Sequence, residues 1–303
     1  MRAVVITQPG GPEALQVIQA VLPEPAAGEV RIRVAAAAVN PVDVITRQGV
    51  FHELGWITQP ATTGLGWDVA GTIDALGAGV EGWAKGAVVA ALLAKLNVPL
   101  GTYAEYVIVP AEAVAAIPFG LTAAQAATLP LNALTADQAL DLLDLPAGAS
   151  LLVTGAAGAV GGFAVALAAR RGLRVTAVAR AGDEAFVRDA GAETWVTDLH
   201  DLQGHYDGVL DAASQVEPAL TAVKDGGVYV GVTPSSVPAS VRGIRTDAVR
   251  VRADGVRLAE LLALAADGSL QPRIAGSLPL VEAAQAQRNL EQGGQRGRWV
   301  LIP

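Results

Sequence analysis

The stretch that decides the fold is Leu151-Leu152-Val153-Thr154-Gly155-Ala156-Ala157-Gly158-Ala159-Val160-Gly161-Gly162. An apolar run typical of a buried strand leads into a turn of small residues, and an apolar helix follows at once. Gly155 allows a sharp turn, Gly158 removes a side chain where the backbone would meet a pyrophosphate, and Gly161 lets the helix pack closely on the strand. We therefore predict that this loop binds the phosphates of a dinucleotide at the start of a helix, through Gly155, Ala156, Ala157, Gly158, Ala159, Val160 and Gly161.

Strands and helices alternate on both sides of this loop. An alanine-rich helical stretch interrupted at Pro130 precedes it, and further strands and helices follow up to residue 266. The predicted strands are 150–154, 174–179, 194–197, 206–211 and 228–233, and the predicted helices are 160–171, 183–190, 216–224 and 254–266. Such alternation predicts an α/β fold with a doubly wound parallel sheet of the Rossmann type.

The end of the second strand indicates which dinucleotide is bound. NAD-binding loops are followed about 20 residues later by an acidic residue that accepts a hydrogen bond from the ribose 2′-hydroxyl. Here the strand ends in Arg180, followed by Ala181 and Gly182. Because a guanidinium fits a 2′-phosphate and a carboxylate would repel it, we predict NADPH as the cofactor.

Residues 2–122 have a different character. Short alternating segments are separated by turn signals such as Pro-Gly-Gly-Pro at 9–12, which predicts a compact all-β unit. A helix at 281–291 and a final strand at 298–302 are predicted near the end of the chain.

Composition excludes several classes of protein. The chain has 303 residues, a net charge of −8 and no cysteine, so disulfides, thiolate metal sites and a catalytic cysteine are excluded, and nucleic acid is disfavoured as a partner. No apolar run is long enough to predict a membrane span, and the first residues read as a strand and not as a signal peptide. We expect a cytoplasmic protein.

Several collinear blocks resemble the medium-chain dehydrogenase/reductase superfamily, specifically its zinc-free quinone oxidoreductase (ζ-crystallin-like) branch. These blocks are 28–30, 40–43, 66–71, 101–107, 129–136, the 155–161 loop and 296–301. The resemblance implies a GroES-like barrel formed by residues 1–122 and 267–303, and a Rossmann NADPH-binding domain formed by residues 123–266. It also implies an active site between the two domains and a homodimer formed through the edge of the Rossmann sheet.

The resemblance includes two substitutions that bear on metal binding. Zinc-containing relatives place a cysteine where this chain has Asn40 and a histidine where it has Trp67. Neither residue ligates zinc in that way, so we expect a metal-free enzyme. The chemistry that remains is hydride transfer from the nicotinamide to a quinone or to an alkene conjugated to a carbonyl.

The family pattern also implies roles for individual residues. Asn40 is expected beside the nicotinamide ribose, Thr135 near the nicotinamide phosphate and Arg298 near the cofactor. Loops that follow two sheet strands are expected to line the cofactor crevice, with Ala212, Ala213 and Ser214 in one and Gly231, Val232 and Thr233 in the other. The carboxylates Asp43 and Asp68 are expected to hold turns and strands of the barrel.

The substrate end departs from the family in one respect. Ile45 stands where many relatives carry a tyrosine close to the substrate, and Tyr103 and Tyr106 are expected to be structural, so no side-chain acid is predicted. Apolar side chains are proposed for the substrate pocket, with core packing as the alternative: Phe51, Trp56, Trp67 and Leu92. Two other functions stay open, a low-turnover NADPH-binding protein with a structural or sensing role and a double-bond reductase dedicated to one pathway.

Overall fold

The computed structural model describes residues 1–59, 61–200 and 202–303 of the chain. They form two compact units. The first unit comprises residues 1–131, 252–266 and 272–303, and the second comprises residues 132–251 and 267–271. No helix in these ranges is long and apolar enough to cross a membrane.

The strands and helices are numbered along the chain. The strands are β1 (Arg2–Ile6), β2 (Gln16–Gln19), β3 (Glu29–Val39), β4 (Thr63–Gly64), β5 (Asp68–Leu76), β6 (Val88–Leu92), β7 (Tyr106–Pro110), β8 (Val114–Ala116), β9 (Ser150–Thr154), β10 (Arg174–Val178), β11 (Thr194–Val196), β12 (Tyr206–Asp211), β13 (Val223–Gly231), β14 (Arg245–Ala248), β15 (Ile274–Pro279) and β16 (Arg298–Ile302). The helices are α1 (Pro41–Gln48), α2 (Val50–Glu53), α3 (Ala123–Ala127), α4 (Pro130–Leu143), α5 (Ala159–Arg170), α6 (Glu184–Asp189), α7 (Glu217–Thr221), α8 (Gly255–Ala266) and α9 (Ala283–Gln292).

The second unit contains a six-stranded parallel sheet. Its strand order is β11-β10-β9-β12-β13-β14, which is 3-2-1-4-5-6 when the strands are counted along the chain. This is the Rossmann order, and it confirms the predicted fold class. Leu151, Leu152 and Val153 of β9 are fully buried, as expected for the centre of a parallel sheet. The strand order reverses between β9 and β12, so ligands of such sheets bind at the carboxyl ends of these strands.

The first unit is built around β3, the longest strand. A seven-stranded sheet runs β15-β16-β3-β5-β6-β8 with β7 also paired to β3, and a separate sheet runs β2-β1-β4. β3 pairs antiparallel with β5, β7 and β16. Its side chains Val30, Ile32 and Val34 belong to the hydrophobic core of this unit.

The expectation of an all-β unit over residues 2–122 is wrong for residues 41–53, which form α1 and α2. Asn40 is the N-cap of α1, Pro41 occupies its first turn, and the Asp43 carboxylate accepts from the Asn40 N–H at 2.8 Å. Proline fits the first turn of a helix because the N–H that it lacks has no partner there. The Asn-Pro-Val-Asp block is therefore a helix start, not a turn between strands.

One strand near the end of the chain lies outside the expected elements. β15 was not predicted from the sequence. Helix α8 belongs to the first compact unit, and its first residue packs closely on β8: a Cβ placed on Gly255 would lie 2.4 Å from the Val114 carbonyl oxygen. The predicted domain limits at 122/123 and 266/267 remain predictions.

Candidate functional site

The loop between β9 and α5 has the shape that phosphate binding requires. Gly155 has φ +56°, which L side chains rarely adopt, and Gly158 is the N-cap of α5. A Cβ on Gly158 would lie 3.0 Å from the Gly155 carbonyl oxygen, and a Cβ on Gly161 would lie 2.2 Å from the same atom. Because the first N–H groups of a helix have no partner within it, the start of α5 offers donors to an anion. The residues present therefore fit a dinucleotide phosphate.

Arg180 follows the carboxyl end of β10 and is exposed. Its guanidinium forms no hydrogen bond or ion pair with any residue in the described ranges. The chain places no acidic residue between the end of β10 at Val178 and Asp183. An exposed cation at this strand end fits the predicted role of binding a 2′-phosphate.

The predicted crevice loops lie beside the phosphate loop in the second unit. A Cβ on Gly155 would lie 3.1 Å from the Ala213 Cβ atom, and the Ala213 N–H donates to Thr154 Oγ1 at 3.1 Å. Ser214 Oγ lies 2.9 Å from Thr233 Oγ1, which joins the loop after β12 to the loop after β13. Gly231 ends β13, and the N–H of the next residue, Val232, donates to the Asp211 carbonyl at 3.3 Å.

Thr135 lies on α4, where its side chain is buried. Its expected contact with the nicotinamide phosphate remains a prediction.

Asn40 lies in the first unit within a buried polar cluster. Its Nδ2 atom donates to Asp68 Oδ2 at 2.7 Å, and Asp68 Oδ1 accepts from the Leu131 N–H at 2.6 Å. The Tyr103 hydroxyl and the Gly66 N–H donate to the Asp43 carboxylate, both at 2.9 Å. Asp43 therefore holds two backbone N–H groups and Asp68 holds one, as the structural role expected for these carboxylates requires. The position of Asn40 beside the nicotinamide ribose stays a prediction.

Burial perturbs the charged members of this cluster. It raises the pKa of Asp68 to about 7 and that of Asp43 to about 6, although hydrogen bonds and the nearby Arg298 charge act in the opposite direction. Burial also lowers the pKa of Arg298 to about 10, while the charges of the two aspartates raise it. Arg298 thus lies within the electrostatic reach of both carboxylates. The position of Arg298 near the cofactor stays a prediction.

The four side chains proposed for the substrate pocket differ in exposure. Phe51 and Trp56 form a stacked pair, with ring centroids 5.7 Å apart and planes 12° from parallel. Trp56 is 56% exposed, Trp67 is half-buried, and Leu92 is almost fully buried opposite Asp68 in the β5–β6 pair. Ile45 is half-buried on α1. Phe51 is half-buried beneath the exposed Trp56 ring, and this partly exposed pair suits contact with an apolar ligand, whereas Leu92 packs as a core residue does.

One buried polar side chain at the carboxyl ends of the Rossmann strands was missed by the sequence analysis. Asp211, at the end of β12, is fully buried and accepts hydrogen bonds from the phosphate-loop side of β9, from its own loop and from β13. The sequence signal was an aspartate that ends an apolar strand. Within the described part of the chain, no cluster of three or more His, Cys, Asp or Glu side chains has the geometry of a metal site.

Known proteins resemble the chain along its whole length. Residues 26–119 match the alcohol dehydrogenase GroES-like domain, and residues 181–301 match the zinc-binding dehydrogenase family. The chain is 33% identical over 316 residues to the NADPH-dependent alkenal/one oxidoreductase of Arabidopsis thaliana, with 100% of this chain and 80% of that protein covered.

Two solved structures have the same fold. The quinone oxidoreductase from Coxiella burnetii has a TM-score of 0.92 at 28% identity, over 100% of this chain and 99% of that one. A mycobacterial protein in complex with NADPH has a TM-score of 0.84 at 26% identity, over 100% of both chains. The chain belongs to the medium-chain dehydrogenase/reductase superfamily. It is an oxidoreductase that uses a nicotinamide cofactor.

Proposed function

We propose that the protein is an NADPH-dependent, zinc-independent reductase of quinones and α,β-unsaturated carbonyls. The observation that carries the proposal is the exposed Arg180 guanidinium just after the end of β10, which has no partner among the described residues and follows a phosphate loop with the required glycines. The names of the relatives, an alkenal/one oxidoreductase and a quinone oxidoreductase, support the same acceptor classes.

The chain's own residues bind and orient the reactants. The N–H groups that open α5 would hold the pyrophosphate, and the Arg180 guanidinium would hold the 2′-phosphate. When bound, NADPH supplies a hydride to an electron-poor carbon of the acceptor. The stacked Phe51 and Trp56 rings offer an apolar surface to that acceptor.

Zinc independence rests on the side chains at the two positions where zinc-containing relatives carry ligands. Asn40 is fully buried and its amide nitrogen donates to Asp68, while Trp67 carries no metal-binding atom. The chain contains no cysteine that could substitute for them. The acceptor is therefore not activated by a zinc ion.

Cofactor selectivity is tested by comparing Arg180→Ala with Arg174→Ala. Both arginines are exposed, but Arg174 is at the opposite end of β10, where its Nε atom donates to the Gly148 carbonyl at 3.0 Å. Arg180→Ala should weaken NADPH binding by about 1.5–3 kcal/mol, or about 10- to 160-fold, which is the scale of a hydrogen bond to a charged group. NADH binding should be nearly unchanged, and Arg174→Ala should bind both cofactors as the wild type does. An equal loss for both cofactors in Arg180→Ala would refute the assignment of NADPH.

The rate of NADPH oxidation separates the proposed reductase from a low-turnover NADPH-binding protein. The low-turnover function stays open because Ile45 stands at the position of the family tyrosine. Steady NADPH oxidation with a panel of quinones and enones is expected from the reductase. Tight NADPH binding without oxidation by any acceptor in the panel would indicate the second function. Activity restricted to one enone would indicate a double-bond reductase dedicated to one pathway.

A homodimer formed through the sheet edge is part of the proposal. β14 pairs with β13 and with no other strand of the described chain, so one side of its backbone is an open edge. Light scattering should give twice the mass of the chain. The expected cytoplasmic location stays a prediction, and the Arabidopsis relative is a chloroplastic protein.

A further inference from the structure

The carboxylate of Asp211 joins three neighbouring strands at one edge of the Rossmann sheet. Thr154 Oγ1, at the end of β9, donates to Asp211 Oδ1 at 2.5 Å, and the Tyr229 hydroxyl on β13 donates to Oδ2 at 2.8 Å. Burial and the Asp211 carboxylate both raise the pKa of Tyr229, so this hydroxyl remains a donor. These strands are adjacent in the order β9-β12-β13, and their carboxyl ends form the edge where a dinucleotide binds.

The same carboxylate also binds the loop that follows β12. The N–H groups of Ala213, Gln215 and Val216 donate to it at 3.3, 3.1 and 2.8 Å. A buried carboxylate needs several donors to offset the loss of its water shell. Here three of those donors come from one short loop, so the loop's backbone shape is tied to the charge of Asp211.

That loop is strained. Ser214 has φ +52° and Val216 has φ +54° with ψ −100°. A positive φ is a clear outlier for a β-branched residue such as valine, and such strain persists only where surrounding contacts enforce it. The loop also touches the phosphate loop, since a Cβ on Gly155 would lie 3.1 Å from the Ala213 Cβ atom and 3.4 Å from the Ala212 carbonyl group.

We propose that Asp211 is a positioning residue for the cofactor, whose carboxylate holds the strained loop 212–216 against the phosphate loop in the conformation that NADPH binds. The inference rests on the proposed function, because it assumes that NADPH occupies this edge. A loop that is already ordered binds its ligand more tightly, because its conformational entropy is lost when the protein folds and not when the ligand binds. Asp211 itself, fully buried, acts through the loop.

The chain offers a matched control on the same strand. Asp207, at the amino end of β12, accepts from the Ser150 N–H at 2.7 Å and from Ser150 Oγ at 2.6 Å, and it forms an ion pair with Lys224. Asp207 thus joins the starts of the same three strands, β9, β12 and β13, at the edge opposite to the phosphate loop. Asp207→Asn weakens three contacts to a charged carboxylate and Asp211→Asn weakens five, and only those of Asp211 lie at the cofactor edge.

The experiment measures thermal stability and dissociation constants for purified wild type, Asp207→Asn and Asp211→Asn. Both variants should melt at lower temperature than the wild type. NADPH should bind Asp211→Asn at least about tenfold more weakly, the scale of one hydrogen bond to a charged group, and bind Asp207→Asn within about twofold of wild type. Adenosine 2′,5′-bisphosphate, which has the 2′-phosphate but no pyrophosphate or nicotinamide, should bind all three proteins within about twofold.

A second variant keeps the test decisive if Asp211→Asn does not fold. Val216→Gly removes the strain at Val216, because glycine adopts positive φ freely, so its melting temperature should not fall. Its NADPH affinity should fall nonetheless, since glycine allows residue 216 other backbone conformations that compete with the one held by Asp211. Stability and binding then change independently, which a purely structural role does not predict.

The outcomes distinguish this inference from the proposed function. Equal NADPH affinity in wild type, Asp211→Asn and Val216→Gly would overturn the inference alone. So would an equal loss of affinity in Asp207→Asn and Asp211→Asn, because binding would then only follow stability. A wild-type chain that binds neither NADPH nor adenosine 2′,5′-bisphosphate would overturn the proposed function and this inference with it.

Discussion

Replacing Gly161 by alanine should separate helix α5 from the phosphate loop. A Cβ at this position would lie 2.2 Å from the Gly155 carbonyl oxygen, 2.8 Å from its carbon and 2.9 Å from the Ala156 Cα atom. Ordinary contact begins at 3.4 Å, so the helix start must move by about 1.2 Å, and the obstructing atoms are backbone atoms that no rotamer change removes. Overpacking of this kind costs about 1–3 kcal/mol, which outweighs the gain of up to about 1 kcal/mol for alanine over glycine in a helix.

Gly162→Ala is the matched control in the same helix. Its Cβ would lie 3.0 Å from the tip of the Phe186 ring, a half-buried side chain that is able to rotate. Urea unfolding should show Gly161→Ala to be less stable than wild type and Gly162→Ala to be close to it. A fluorescence titration should show at least about tenfold weaker NADPH binding for Gly161→Ala alone, since the displaced N–H groups no longer converge on the phosphates. Equal stability and equal NADPH affinity in the two variants would refute the close-packing argument.

Three further predictions follow from the first unit and from the composition. Burial raises the pKa values of Asp43 and Asp68 to about 6 and about 7, above about 3.9 in an unfolded chain, so the folded state binds more protons between these values. Stability measured in urea should therefore rise as the pH is lowered from about 8 to about 5, with a smaller slope in Asp68→Asn. Metal analysis should find no stoichiometric zinc, and prolonged chelation should leave NADPH oxidation unchanged; one zinc per chain would contradict the metal-free chemistry. Tyr103→Phe should lower the free energy of unfolding, because the Asp43 carboxylate loses a hydrogen-bond donor. The rate of enone reduction by Tyr103→Phe and by Tyr106→Phe should fall far less than the factor of about 10²–10⁴ that a general acid contributes. A rate loss of that full size in either tyrosine variant would show that the chain has relocated its acid.

The Rossmann sheet was predictable because its signals are local. A buried strand, a glycine-spaced turn and an apolar helix stand together at 151–170, and the alternation that follows predicts parallel strands. The ends of the elements were less certain: the helix predicted at 216–224 is only five residues long, Glu217–Thr221, because β13 already begins at Val223. The position of Arg180 near a strand end was also predicted, because the apolar strand 174–179 and the Ala-Gly pair after Arg180 are local signals.

The buried polar contacts were harder to predict because their partners are distant in sequence. The Asn40 amide meets Asp68, 28 residues away, and Asp211 meets Thr154, 57 residues away. The Asn-Pro-Val-Asp block did contain the signals of a helix start, an N-cap residue and a proline in the first turn, but the surrounding strand patterns concealed them. Sequence periodicity identifies elements, whereas the convergence of five donors on Asp211 depends on the order of strands in the sheet.

The environment of Tyr103 bears on which acceptors this oxidoreductase reduces well. Reduction of an enone needs a hydride and then a proton on the enolate, whereas a reduced quinone takes its protons readily from solvent. Tyr103 is fully buried, donates its hydroxyl to Asp43 and has a pKa raised well above its usual value by burial, so it is a poor proton donor to a ligand. Tyr106 starts β7, with the Arg31 guanidinium 5.9 Å from its ring centroid. With Ile45 at the family tyrosine position and the two tyrosines held in these contacts, we predict that water supplies the proton. Reduction of a quinone does not require a positioned acid. We therefore expect isoleucine at this position to lower the rate of quinone reduction less than the rate of enone reduction.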